Sequence, residues 1–252
     1  MLVDLHVYTA PSGGPSVERA VEQAAALGLD GIAVVDRHAS ADVARRVVGG
    51  EFGDFPVFVG VELATAAGDV LIFVPNLDPF FTREEWRELE VVGLPELSDV
   101  VEMVEREGGV VLSAQPYDRK RARSPRDRVF SLDALAGLEV WTSTSDATAN
   151  TFAQEAGARA SVAGFAGTAN ASSRGSSEPW VTLFSALPTT QAELVEALKG
   201  GDFWPVEIGS QRARSGGDRR PRSNDRGDRQ ERGDRPERSS RGRGGSDRRP
   251  RR

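Results

Sequence analysis

The chain has 252 residues, 38% hydrophobic and 28% charged, with a formal net charge of −6, no cysteine and two histidines. That length suffices for one large domain with a buried core, or for one domain and a tail. Without cysteine there can be no disulfide, thiolate metal site or cysteine nucleophile, and no run approaches the roughly 18 apolar residues of a membrane-spanning helix.

The chain enters a strand directly at Leu2 to Val7, with no basic leader or signal-peptide core, which predicts a cytoplasmic protein without membrane contact. Ser16 to Leu27 is the clearest helix: Ser16 caps it, apolar residues recur at helical spacing and Gly28 stops it. Strands are then predicted at Gly31 to Val35, Val57 to Leu63 and Val70 to Val74. Helix Leu97 to Glu107 ends at Gly108-Gly109, and strands Val110 to Ser113 and Leu138 to Trp141 follow it. Helix Asp146 to Ala158, strands Ser161 to Ala163 and Val181 to Phe184, and helix Thr190 to Leu198 complete the pattern. Strands alternating with helices predict βα units around a largely parallel sheet.

From Gln211 to Arg252 the composition changes. These 42 residues hold 16 arginines, seven acids and no Val, Ile, Leu, Phe, Met, Trp or Tyr, so they cannot bury enough apolar surface to offset chain entropy. The expected organisation is a folded domain over residues 1–208 and a disordered tail over 209–252. Residues 1–210 carry a net charge of −15 and the tail +9. Such asymmetry points to an acidic partner for the tail.

The first strand carries Asp4, His6, Tyr8 and Thr9 at its end, and with the Ser12-Gly13-Gly14 loop, the helix and the strand Ile32 to Asp36 it resembles the opening of the PHP (polymerase and histidinol phosphatase) family. The order of motifs is similar across residues 1 to 208. The resemblance implies a distorted (β/α)7 barrel, with three metal ions held at the C-terminal ends of the strands by His, Asp and Glu, and metal-dependent phosphoester hydrolysis. Several clustered cations are what that chemistry needs.

Carried over position by position, His6 and Glu62, in Gly60-Val-Glu62, match family ligands. Tyr8 stands where a second histidine is expected, Arg37 where one follows Asp36, and Asp69 near another. Gln115, in Ala114-Gln-Pro116, replaces a further histidine, and Gly164-Phe-Ala-Gly-Thr168 replaces an aspartate and a histidine. The chain therefore reads as a degenerate phosphoesterase-like pseudoenzyme without a cofactor. The alternative is a residual phosphoesterase acting on a nucleotide or sugar phosphate, with Mn, Zn, Fe or Mg held by His6, Glu62 and the carboxylates Asp4, Asp36 and Asp69. His6 also reads as a hydrogen-bonded core residue, Glu62 as the partner of Arg37 in a buried ion pair, and His38 as a surface residue unless the register shifts by one.

Tyr8, Arg37 and Gln115 offer hydrogen bonds where metals are lost. The loop Asp118 to Arg128 adds six basic residues in eleven, Arg119 and Arg121 among them. It reads either as a solvated loop or as a clamp for a phosphorylated small molecule, since guanidinium pairs bidentately with phosphate. In the tail, Arg219, Arg220, Arg241, Arg243, Arg248 and Arg249 lie in Arg/Gly/Asp-rich repeats resembling the tails of RNA-binding proteins, which predicts salt-dependent contact with RNA. A solubilising or protein-binding tail is the other reading.

Overall fold

The structure, a computed structural model, describes residues 1–37, 40–77, 80, 83–132, 134–169, 179–186 and 188–209. Residues 1–210 form one compact unit. His38, the six tail arginines singled out above and the expected disorder of the tail lie outside the described residues.

Ten strands and six α-helices are described. They run β1 (Leu2–Val7), α1 (Val17–Ala26), β2 (Gly31–Val34), α2 (Ser40–Val48), β3 (Val57–Val59), β4 (Val61–Thr65), β5 (Gly68–Phe73), α3 (Glu84–Val92), α4 (Leu97–Arg106), β6 (Val110–Ser113), β7 (Gly137–Thr142), α5 (Ala147–Ala160), β8 (Gly164–Gly167), β9 (Trp180–Phe184), α6 (Gln191–Gly200) and β10 (Phe203–Glu207). Ser16, read as a cap in the sequence, opens α1 with its Oγ accepting the Arg19 N–H at 3.3 Å, and at the start of α6 Thr190 and Glu193 form a reciprocal capping box.

The strands form two five-stranded sheets, β10-β9-β1-β2-β3 and β4-β5-β6-β7-β8, rather than one closed ladder. Both are mixed: β1, β2 and β3 are parallel, as are β6, β7 and β8, while β4, β5 and β6 run antiparallel to one another in turn and β9 lies antiparallel to β1 and β10. The expectation of a largely parallel closed barrel is thus met only in part. The single strand expected at Val57 to Leu63 is broken at Gly60, where a Cβ would lie 2.6 Å from the Phe73 ring and 2.7 Å from the Ile72 carbonyl. The chain switches sheets there and turns back as the β4–β5 hairpin. At the other junction β8 lies against β1, with the Ala169 N–H on the His6 carbonyl at 2.9 Å.

The strand expected at Ser161 to Ala163 is instead a connection. Ser161 caps α5 at φ 54°, and the strand starts at Gly164, in a Gly-Phe-Ala-Gly run whose weak β-propensity concealed it. Helices α2 and α3 and strand β10 were not anticipated. β10 contains Pro205, which an edge strand tolerates.

Side chains of both sheets meet in one interior cluster that includes Leu5, Val35, Phe58, Phe73, Leu112 and Phe165, with α6 packed on it. A second cluster joins the strands to α1, α2, α3 and α4. Among the described residues no helix is long and apolar enough to cross a membrane.

Candidate functional site

His6 and Glu139 both lie where a strand loses register, between Asp4 and Val7 in the β1–β2 pairing and between Glu139 and Trp141 in the β7–β8 pairing. Such irregularities re-aim a side chain. Here the two residues, both buried, meet: His6 Nδ1 lies 3.0 and 3.1 Å from the two Glu139 carboxylate oxygens. Burial works against a charged His6, but Glu139, Tyr8 and Glu62 together outweigh it and lift the imidazole well above its ordinary range. Nε2 has no hydrogen-bond partner and lies 4.0 Å from Glu62 Oε1.

Glu62, delivered by β4 and buried, is the hub of the site. Tyr8 Oη and Arg37 Nε each donate to its Oε2 at 2.6 Å, and Arg121 Nη1 donates to Oε1 at 2.6 Å. The same Arg121 Nη1 donates to Asp69 Oδ2, and Arg37 Nη2 lies 3.7 Å from that oxygen. Arg121 Nη2 donates to Tyr8 Oη at 3.2 Å, so the cluster is closed through its own hydrogen bonds. Burial alone would raise the Glu62 carboxyl, but the charges of His6, Arg37 and Arg121 hold it down at about 2.

Gln115 closes the opposite wall. Its backbone N–H donates to Glu139 Oε2 at 3.0 Å, and its amide donates to Thr142 and Thr144 hydroxyls at 3.3 and 3.1 Å. Gln115 has φ 45° and Ala169, across the site, φ 44°. Each costs roughly 1–2 kcal/mol relative to ordinary backbone, so backbone strain is present at both of these positions.

Asp4 and Asp36 do not face the cluster. Asp4 accepts the backbone N–H groups of His6 and Thr168 at 3.1 and 3.0 Å together with the Thr168 hydroxyl, and burial pushes its carboxyl up to about 6 against those donors. Asp36 accepts the Thr9 N–H at 2.6 Å and the Thr9 hydroxyl. Both carboxylates pin the loops that follow β1 and β8.

An open cavity of about 850 Å³ lies over the cluster, walled among others by Tyr8, Arg37, Asp69, Gln115, Lys120, Arg121 and Arg123. Arg119 is exposed and is not part of this wall. The structure thus brings together His6, Tyr8, Arg37, Glu62, Asp69, Gln115 and Arg121, and leaves Asp4, Asp36 and Arg119 outside. Glu139 was missed, although a lone acid within the apolar run Leu138 to Trp141 was a usable signal. Lys120 was passed over within the basic loop, and Thr142 and Thr144 gave no signal at all.

The donor set does not suit a resident metal. Among the described residues no group of three or more His, Asp or Glu side chains is arranged to hold one. The oxygens of Glu62 that a cation would use already accept from two guanidiniums and a phenol, and a positive guanidinium at that distance repels a metal ion. Arginines and polar hydroxyls facing an open cavity are suited instead to binding an oxyanion.

No protein-family model matches the chain, and no curated protein matches it. Solved structures do. A candidate metal-dependent phosphoesterase from Bifidobacterium adolescentis shares 19% identity at a TM-score of 0.50, over 66% of this chain and 86% of that one. An amidohydrolase from Chromobacterium violaceum, described with bound SO4 and no metal, shares 14% identity at a TM-score of 0.53, over 82% of this chain and 98% of that one. At such identities the likeness is one of fold alone, an α/β fold shared with these two structures.

Proposed function

We propose that this protein is a PHP-like domain that has exchanged metal-dependent catalysis for ligand binding, and that its cavity takes the phosphate group of a small molecule without a metal ion. The observation that carries this reading is the pairing of Glu62 with both Arg37 and Arg121. These arginines supply positive charge where the resemblance calls for cations, and they are part of the cavity wall. A guanidinium can share its donors between a carboxylate and an incoming phosphate, because it carries five N–H groups. The finer description of the fold as a distorted (β/α)7 barrel belongs to the same proposal, as does contact of the tail with RNA or an acidic partner, which rests on sequence alone. An oxyanion held without metal, as described for the Chromobacterium structure, is compatible with it.

The reading is tested by assaying phosphomonoester and nucleotide hydrolysis by the full chain with Mn²⁺, Zn²⁺, Fe²⁺ or Mg²⁺ added. The expected result is no turnover above that of His6→Ala and Glu62→Ala. Turnover abolished by both substitutions would restore the residual phosphoesterase as the better account.

A further inference from the structure

We infer that the loop after β6, together with α5, forms a binding surface for a single-stranded nucleic acid. The observation that carries it is where the unpaired cations lie. Residues 1–210 carry a net charge of −15, and in so acidic a unit a surface cation ordinarily finds a carboxylate. Among the described residues, six arginine and lysine side chains have no such partner: Arg119, Lys120, Arg123, Arg126, Arg128 and Arg159, all exposed. Every other described arginine or lysine side chain is paired with an acid.

Local structure gathers these six. The loop ends in a 3₁₀ turn, Arg126–Ser131, and Val129 of that turn packs with Tyr117 and with Ala149 and Ala153 of α5. Tyr117 ties the parts together: its Oη donates to Asp127 at 3.0 Å, its ring lies 6.0 Å from that of Phe152 on α5, and the charge of Arg159 acts on its hydroxyl. The exposed acids that act on the same hydroxyl, Asp127 and Glu155, are too few to balance six cations. Charge alone would suit any polyanion. Two rings narrow the choice, since Phe130 in the 3₁₀ turn is 48% exposed and Phe152 is 44% exposed. Such rings offer bases a face to stack on while guanidiniums take the phosphates. An acidic peptide has no bases to stack, and a duplex keeps its base faces hidden. The surface shares Lys120 and Arg123 with the cavity wall, but the inference does not rest on what the cavity holds.

The test is UV crosslinking of oligo(U) and oligo(dT), each about ten nucleotides long, to the full chain, with the crosslinked peptides identified by mass spectrometry. Affinity is measured in parallel for wild type, Arg126→Gln/Arg128→Gln/Arg159→Gln and Phe130→Ser/Phe152→Ser. The tail is the same in all three, and none of the substituted residues lines the cavity. The expected result is crosslinking of at least one of the two strands to peptides bearing Phe130 or Phe152. Affinity at low salt should fall at least about tenfold in the arginine variant and about fivefold in the phenylalanine variant. Crosslinks confined to residues 211–252, or an affinity unchanged in the arginine variant, would overturn the inference. An effect of the arginine variant with none of the phenylalanine variant would mean that charge alone is read, as an acidic peptide would satisfy it, and would overturn the assignment to a single strand.

Discussion

Replacing Glu62 with glutamine is expected to lower stability at neutral pH by about 3 kcal/mol, measured by urea unfolding. Glutamine keeps one acceptor oxygen and the volume but removes the charge that Arg37, Arg121 and His6 all face, and breaking one side of a buried ion pair leaves the others uncompensated. The pH dependence supplies the sign. The Glu62 carboxyl is lowered from 4.5 to about 2 on folding, so its contribution is fully present above about pH 5 and is lost as pH falls toward 2. A depression of that size corresponds to about 3 kcal/mol. Wild type and variant should therefore differ most at neutral pH and converge near pH 2. A loss below about 1 kcal/mol at pH 7, or one independent of pH, would remove Glu62 from the centre of the account.

Gly167→Ala should be at least as damaging, about 4 kcal/mol or a failure to fold. A Cβ at Gly167 would lie 2.3 Å from His6 Cβ and 2.9 Å from the His6 nitrogen. Neither side can retreat easily, since Ala169 N–H and Thr168 N–H bind the His6 carbonyl and the Asp4 carboxylate on the same strand. Gly200→Ala is the control: nothing lies within 4 Å of that position, and stability should change by less than about 1 kcal/mol. Similar stability for the two variants, measured by thermal unfolding, would mean that β8 does not press on β1 as described.

What the sequence disclosed depended on whether a local pattern carried the information. The first strand and the helices α1, α4, α5 and α6 were legible because periodicity and helix start and stop signals are local, whereas Glu62 was singled out by the family resemblance of Gly60-Val-Glu62. The break at Gly60 was not legible, because what forbids a side chain there is the Phe73 ring on another strand. β8 was misplaced for the same reason: its Gly-Phe-Ala-Gly run becomes a strand only through pairing with β7. At the site, Arg37 was anticipated as a partner for Glu62, whereas Arg121 was placed in a loop read either as solvated or as a phosphate clamp, not as a partner of Glu62. Its contact with Glu62 spans 59 residues of sequence, and only the path of the loop after β6 brings it there. Glu139 escaped for a different reason, since its role depends on two strand irregularities that turn it toward His6.

The central claim is that guanidinium groups, not metal ions, provide the positive charge of this site. Isothermal titration of inorganic phosphate into the full chain, in the presence of EDTA, tests it most directly. The account predicts saturable binding of one phosphate, weakened at least tenfold in Arg37→Ala/Arg121→Ala while the tail, unchanged in the variant, contributes equally to both. Phosphate binding that requires added Mn²⁺ or Zn²⁺, or that a folded double variant retains in full, would contradict it.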